Sequence, residues 1–288
     1  MADRRLSDRG RVLKDDARKI MFLETTDGVA ILGYAGLGAT SAGTEPADWM
    51  SAVLRGRNLP LEQSLGVVAD AMKREFPRHM LQMRGNTRPA HNVIVPAFLG
   101  DEARMYTIDM AFAPDRGSYR FRYTRHVIAK IAGKEPRTPR LSIGGSGALY
   151  LMQDRRWMRG LLRLVRACDR AKLRHQAVAD QLAAINYQVH QNLEDGSVGP
   201  RCIVAWRNRK GGIHKGGGAQ AFYFGTEPDR TGASLPTIGN GTDIQAIGGI
   251  LMRRIMQWNP GEGPPDMNLD DINDELAKLP EGPDEKLR

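Results

Sequence analysis

Cysteine is scarce in this chain: Cys168 and Cys202 are the only two in 288 residues. That excludes a disulfide framework and a Cys-rich metal site, and both read as reduced, partly buried thiols. Long apolar runs are missing as well. The longest, residues 29–38, holds three glycines and falls well short of the roughly 18 residues that span a bilayer. Met1 is followed at once by Asp3 and Arg4, without the apolar stretch of a secretory signal, so the chain is expected in the cytoplasm and off the membrane. The six histidines, His79, His91, His126, His175, His190 and His214, lack the pairwise spacing of metal ligands. No metal and no cofactor is expected.

What is present is an ordinary globular composition, 41% hydrophobic and 26% charged, in a chain long enough to bury a sizeable core. The charge is uneven. Residues 262–288 hold nine acids and three bases, a net of −6, so residues 1–261 carry +15 against the whole chain's +9. A Pro/Gly-rich stretch, residues 260–265, separates the two. The expected organisation is one domain over residues 1–258, then a linker and acidic tail over 259–288. In that tail Leu269, Ile272, Leu276 and Leu279 form a short amphipathic stripe, expected to dock on the body.

Along the body, short apolar runs alternate with turn signals. Ile20-Met21-Phe22-Leu23 suits a buried strand, Asp27-Gly28 a hairpin turn, and residues 29–34 the returning strand. Thr44 is placed to cap a helix carrying Trp49, Met50, Val53 and Leu54 on its apolar face. Leu61, Leu65, Val68, Met72 and Phe76 predict the next helix. Strands are predicted over 92–99, 104–109, 119–127 and 140–143. One long helix then carries Leu151, Met152, Met158, Leu161, Leu162 and Val165, and another carries Val178, Leu182, Ile185 and Val189. Strands over 201–206 and 219–224 precede a helix over 244–258. This order predicts an α+β fold with helix layers around a sheet sandwich.

Two basic features invite an acidic partner. Arg155, Arg156, Arg159, Arg163, Arg166 and Arg170 line one side of the long helix, which suits a nucleic-acid face and equally a solvated surface, the simpler reading. The loop from Lys210 to Gly218 is rich in glycine and base. It lacks the P-loop order of Gly, Lys and Ser/Thr opening a helix, so it reads as a hairpin loop.

The most informative spacing lies at the start. Asp3 closes a short apolar segment, and Lys19 opens the next strand 16 positions later. Gly33-Tyr34-Ala35-Gly36 leads toward a helix near Thr44. Ile143-Gly144-Gly145-Ser146-Gly147-Ala148 enters a helix pair, and Asp195-Gly196-Ser197-Val198-Gly199 follows that pair. Together, over roughly residues 3–225, these motifs resemble the proteasome-like N-terminal nucleophile hydrolases.

The resemblance implies a four-layer αββα sandwich and cleavage of peptide or other amide bonds by an N-terminal Thr, Ser or Cys after self-processing. By position it assigns Lys19 to lowering the proton affinity of that nucleophile, Asp3 to holding Lys19, and Arg5 to standing beside Asp3. Ser146 falls where the family has a serine near the terminal amine, and Asp195 where it has a distal acid. The serine three residues beyond that acid is Val198 here, with Ser197 one place earlier. The family nucleophile lies about fourteen residues ahead of the Asp, ahead of Met1, so the chain as written is expected to be inactive. A homo-oligomer is also implied. Three readings stand: a hydrolase completed by an upstream nucleophile, a non-catalytic assembly subunit, and a nucleic-acid-binding protein using the Arg-rich helix.

Overall fold

The computed structural model describes residues 1–8, 11–36, 44–82, 91–113, 118–128, 141–169, 174–207, 218–230, 234–259, 261, 263 and 268–279. Three short strands come first: β1 (Ala2–Asp3), β2 (Leu6–Asp8) and β3 (Arg11–Lys14). β4 (Ile20–Glu24) and β5 (Gly28–Ala35) follow, then α1 (Pro46–Leu54) and α2 (Leu61–Gln82). β6 (Asn92–Leu99), β7 (Glu102–Ala113) and β8 (Ser118–Arg125) precede three helices, α3 (Gly147–Gln153), α4 (Arg156–Asp169) and α5 (His175–Asn192). The chain closes with β9 (Arg201–Arg207), β10 (Gly218–Phe224), β11 (Glu227–Pro228), β12 (Thr237–Gly239), β13 (Thr242–Asp243), α6 (Ile244–Gln257) and α7 (Leu269–Ala277).

The fold is α+β. A seven-stranded sheet runs in the order β13-β12-β4-β5-β6-β7-β8, a four-stranded sheet in the order β1-β9-β10-β11, and β2 and β3 form a separate hairpin. The unbroken apolar run of β4 has a direct cause, because this strand is buried on both faces. Met21 and Leu23 point into a core built with Trp49, Met50 and Leu54 of α1 and Leu61, Leu65 and Val68 of α2. Ile20 and Phe22 point the other way, against Ile203 of β9 and Phe222 of β10. β9 repeats the pattern. Its Cys202 and Val204 face Ala179 and Ala183 of α5, together with Tyr223.

The Asp27-Gly28 turn forms as expected, and Thr25 Oγ accepts from Gly28 N at 3.1 Å. Glycine is needed at 28 because a Cβ there would stand 2.6 Å from the Phe98 carbonyl oxygen of β6. β12 pairs in parallel with β4, and Asn240 and Gly241, at φ 48° and 84°, turn the chain into β13. That Asn-Gly turn is a strong hairpin signal that the sequence reading passed over. Asp243 then caps α6, accepting from Ala246 N at 3.0 Å, and pairs with Arg55 at 2.9 Å, which ties this helix to the end of α1.

Three expectations are corrected. The N-cap of α1 is Glu45 rather than Thr44, and its carboxylate turns to Lys14 and Arg18 instead of the helix N–H groups. Residues 141–143 are irregular rather than a strand; Arg140 lies outside the described residues. The single long helix is two, α3 and α4. Asp154 accepts from Arg156 N at 2.9 Å and so starts a new helix, while Trp157 Nε1 donates to the Leu151 carbonyl at 2.8 Å and fixes the break.

The tail stripe docks in part. Ile272 is buried, Arg254 grips Glu275 at 2.6 Å across α6 and α7, and Leu269 stays 73% exposed. Arg170, the loop 210–217, most of the 260–265 linker and the side chains of Phe76 and Tyr119 lie outside the described residues. Among the described residues no helix is long and apolar enough to cross a membrane.

Candidate functional site

Asp3 and Lys19 meet because two backbone anchors converge. Asp3 is held on β1 opposite Cys202 of β9, and the Lys19 carbonyl accepts from Tyr34 N of β5 at 2.8 Å. The Lys19 ammonium donates to both oxygens of Asp3, at 3.1 and 3.2 Å, and to the Arg5 carbonyl at 2.5 Å. Both side chains are mostly sheltered from water, at 13% and 21% exposure, so the charge is held in place rather than waving in solvent. Arg5 N closes the group by donating to Asp3 Oδ1 at 3.0 Å.

The Arg5 guanidinium extends the group toward the turn after α5. Its Nε and Nη2 donate side-on to the two oxygens of Asp15, at 2.6 and 2.9 Å, and its Nη1 donates to the Gly196 carbonyl at 2.9 Å. The Asp15 hydrogen bond raises the Arg5 pKa, and the Arg5 hydrogen bond holds the Asp15 carboxyl below its usual range. Asn186 Nδ2 donates to the Gly199 carbonyl at 3.0 Å, and His190 Nδ1 lies 2.9 Å from the Val198 carbonyl. The turn at 195–199 is therefore clamped by Arg5 on one side and by α5 on the other.

Of the residues named from sequence, Asp3, Arg5 and Lys19 form one connected cluster. Asp195 joins it only through its turn. Its exposed carboxylate accepts from Ser197 N at 2.9 Å, a local bond that shapes the turn. Ser146 is exposed and, although it is the N-cap residue of α3, makes no capping bond with its side chain. Its turn still borders the same region. A Cβ on Gly145 would stand 3.3 Å from Ala35 Cβ, and one on Gly147 would stand 3.5 Å from Val198 Cγ2.

Sequence reasoning missed Asp15, the carboxylate that fixes Arg5. Its only signal was membership of an Asp15-Asp16 pair in a polar segment, which does not say which acid turns inward. It also missed Gly199, where a Cβ would stand 2.9 Å from Arg5 Cβ and 3.0 Å from Asp15 Oδ1. Tyr34 is a third. Its hydroxyl lies 2.6 Å from His91 Nδ1, and burial raises its pKa.

Cys202, the thiol paired in register with Asp3, is fully buried, and burial pushes its pKa up to about 12, which keeps it protonated and poorly nucleophilic. Among the described residues no group of three or more His, Cys, Asp or Glu is placed to hold a metal ion. Comparison with protein-family models, curated proteins and solved structures finds no match for this chain.

Proposed function

We propose that the Asp3–Lys19 pair is the supporting shell of a proteasome-like N-terminal nucleophile hydrolase that cleaves peptide or other amide bonds. The observation that carries this reading is the fixed Lys19 ammonium, held by three acceptors on Asp3 and Arg5. A positive charge pinned beside a hydroxyl or thiol favours its ionised form and stabilises the developing anion. In this reading the attacking Thr, Ser or Cys is supplied from ahead of Met1, with its own amine as base. Lys19 tunes it, Asp3 and Arg5 position Lys19, and the turns bearing Ser146 and Asp195 border the amine.

The same reading takes the architecture as a four-layer αββα sandwich: α1 and α2, the seven-stranded sheet, the four-stranded sheet, and α5. The three separate hydrophobic clusters between successive pairs of these layers support it. In this reading turnover of amides depends on that upstream residue. The test is hydrolysis of a panel of fluorogenic peptide amides by a protein extended upstream and processed to a free Thr, Ser or Cys. Turnover that Lys19→Ala abolishes is expected. A processed, folded protein without turnover on any amide sinks the proposal.

A further inference from the structure

Four strands end the two larger sheets, and they differ in length. β13, β1 and β11 have two residues each, while β8 has eight. Short edge strands are a common protection against stray strand pairing. β8 departs from that. It offers about 26 Å of strand whose partner among the described residues, β7, lies on one side. The strand is also held in place from behind. Phe121 is buried in the core that α2 shares, the Tyr123 ring meets Tyr106 edge-on with centroids 6.4 Å apart, and a Cβ on Gly66 of α2 would stand 3.9 Å from Tyr123 Cε1.

The ladder shows which backbone groups face outward. His126 N donates to the Met105 carbonyl at 2.8 Å, and Arg125 stands opposite Tyr106 in the register. The even positions of β8 therefore bond to β7, and Tyr123 and Arg125 turn their N–H and C=O groups away from it. On the face opposite Phe121 and Tyr123, Arg120 and Arg122 are exposed and about 7 Å apart, and they enter no ion pair among the described residues. Asp109 stands opposite Arg122 across the ladder, but its carboxylate accepts from Asn92 and Thr107. Arg125 is paired with Glu102 at 3.1 Å.

We propose that β8 takes an extended acidic segment of another protein as an added strand of the seven-stranded sheet. Backbone bonds to Tyr123 and Arg125 dock the segment, and carboxylates at alternate positions along it meet Arg120 and Arg122. Charge sets the choice of partner. A second copy of β8 is the wrong occupant, because arginine meets arginine across the new ladder. A strand with apolar residues at those positions gains the backbone bonds alone. A nucleic acid engages the arginines through phosphate and leaves the outward groups of Tyr123 and Arg125 unused.

Fluorescence anisotropy on the full chain tests this, with a labelled eight-residue peptide that alternates Glu and Thr, matched to the length of β8. At about 0.1 M salt, saturable binding with a Kd below about 1 mM is expected. R120E/R122E is expected to weaken binding about tenfold or more, and to take instead the peptide with Lys in place of Glu, which shows that the variant is folded. A peptide N-methylated at its Thr residues, the ones that face Tyr123 and Arg125, keeps its charge and loses the edge bonds. It is expected to bind about tenfold more weakly. Hydrogen exchange at the Tyr123 and Arg125 amides is expected to slow on binding. Absence of saturable binding overturns the proposal, and so does binding that R120E/R122E leaves unchanged. Equal binding of the N-methylated peptide also overturns it, and reduces the contact to charge attraction.

Discussion

Lys19 places its ammonium between the two carboxylate oxygens of Asp3, at 3.1 and 3.2 Å, while the Arg5 carbonyl takes a third bond at 2.5 Å. Three acceptors around one ammonium satisfy all its protons and leave it little freedom. Replacing Lys19 by Ala strands Asp3 with a single donor, Arg5 N. Lys19→Ala is expected to cost about 1–3 kcal/mol of stability by urea unfolding. A double-mutant cycle with Asp3→Asn is expected to show coupling of similar size. Coupling within about 0.5 kcal/mol of zero, the scale for independent sites, would mean the two do not act as a pair.

Asp15 gives the site a pH dependence. Its carboxyl is held below the usual range, mainly by the Arg5 hydrogen bond, so it binds fewer protons folded than unfolded. Stability from this bond is therefore present above the unfolded carboxyl pKa of about 3.9 and is lost as pH falls through the lower folded value. Asp15→Asn is expected to be less stable than the native chain at pH 7, with the gap closing in acid. Denaturant unfolding across a pH series measures this. A gap that stays constant to low pH contradicts the assignment.

The close approach of Gly199 to Arg5 makes another test. Gly199→Ala forces a methyl against Arg5 Cβ and Asp15 Oδ1 and is expected to destabilise by about 1–3 kcal/mol. Gly248 of α6 has nothing within 4 Å of its absent Cβ, so Gly248→Ala is expected to stabilise by about 0.5–1 kcal/mol through helix propensity. Thermal melts of the two variants should move in opposite directions. A shift of the same sign in both would contradict the packing at Gly199.

The two cysteines should differ sharply in reactivity. Cys202 is fully buried with its pKa pushed up to about 12 by burial, whereas Cys168 is only half-buried. Maleimide labelling of the native chain, followed by peptide mapping, is expected to mark Cys168 first and Cys202 only after unfolding. Rapid native labelling of Cys202 would contradict its place beneath α5.

Sequence pattern carried the central strands well and the joints poorly. Ile20 to Leu23 announced a doubly buried strand, because no exposed position interrupts it. The break between α3 and α4 stayed hidden because apolar residues continue across it. The helix stops through two side-chain bonds, Arg156 N donating to Asp154 and Trp157 Nε1 donating to the Leu151 carbonyl, which periodicity cannot register. At the site, the Asp3–Lys19 spacing pointed to a contact that the structure contains. The same reading gave no way to choose Asp15 over Asp16 as partner for Arg5, since that depends on how the hairpin of β2 and β3 returns. Ser146 and Asp195 were legible as turn residues, but their side chains do not reach Lys19 through any bond observed in the structure.

The central claim is that the Lys19 ammonium activates an N-terminal nucleophile. Intact-mass spectrometry of the upstream-extended, processed protein after exposure to an acylating lactone tests it most directly. The expected result is a single stoichiometric adduct on the new N-terminal residue, lost in Lys19→Ala. No adduct on the processed protein, or one formed equally fast without Lys19, would contradict it.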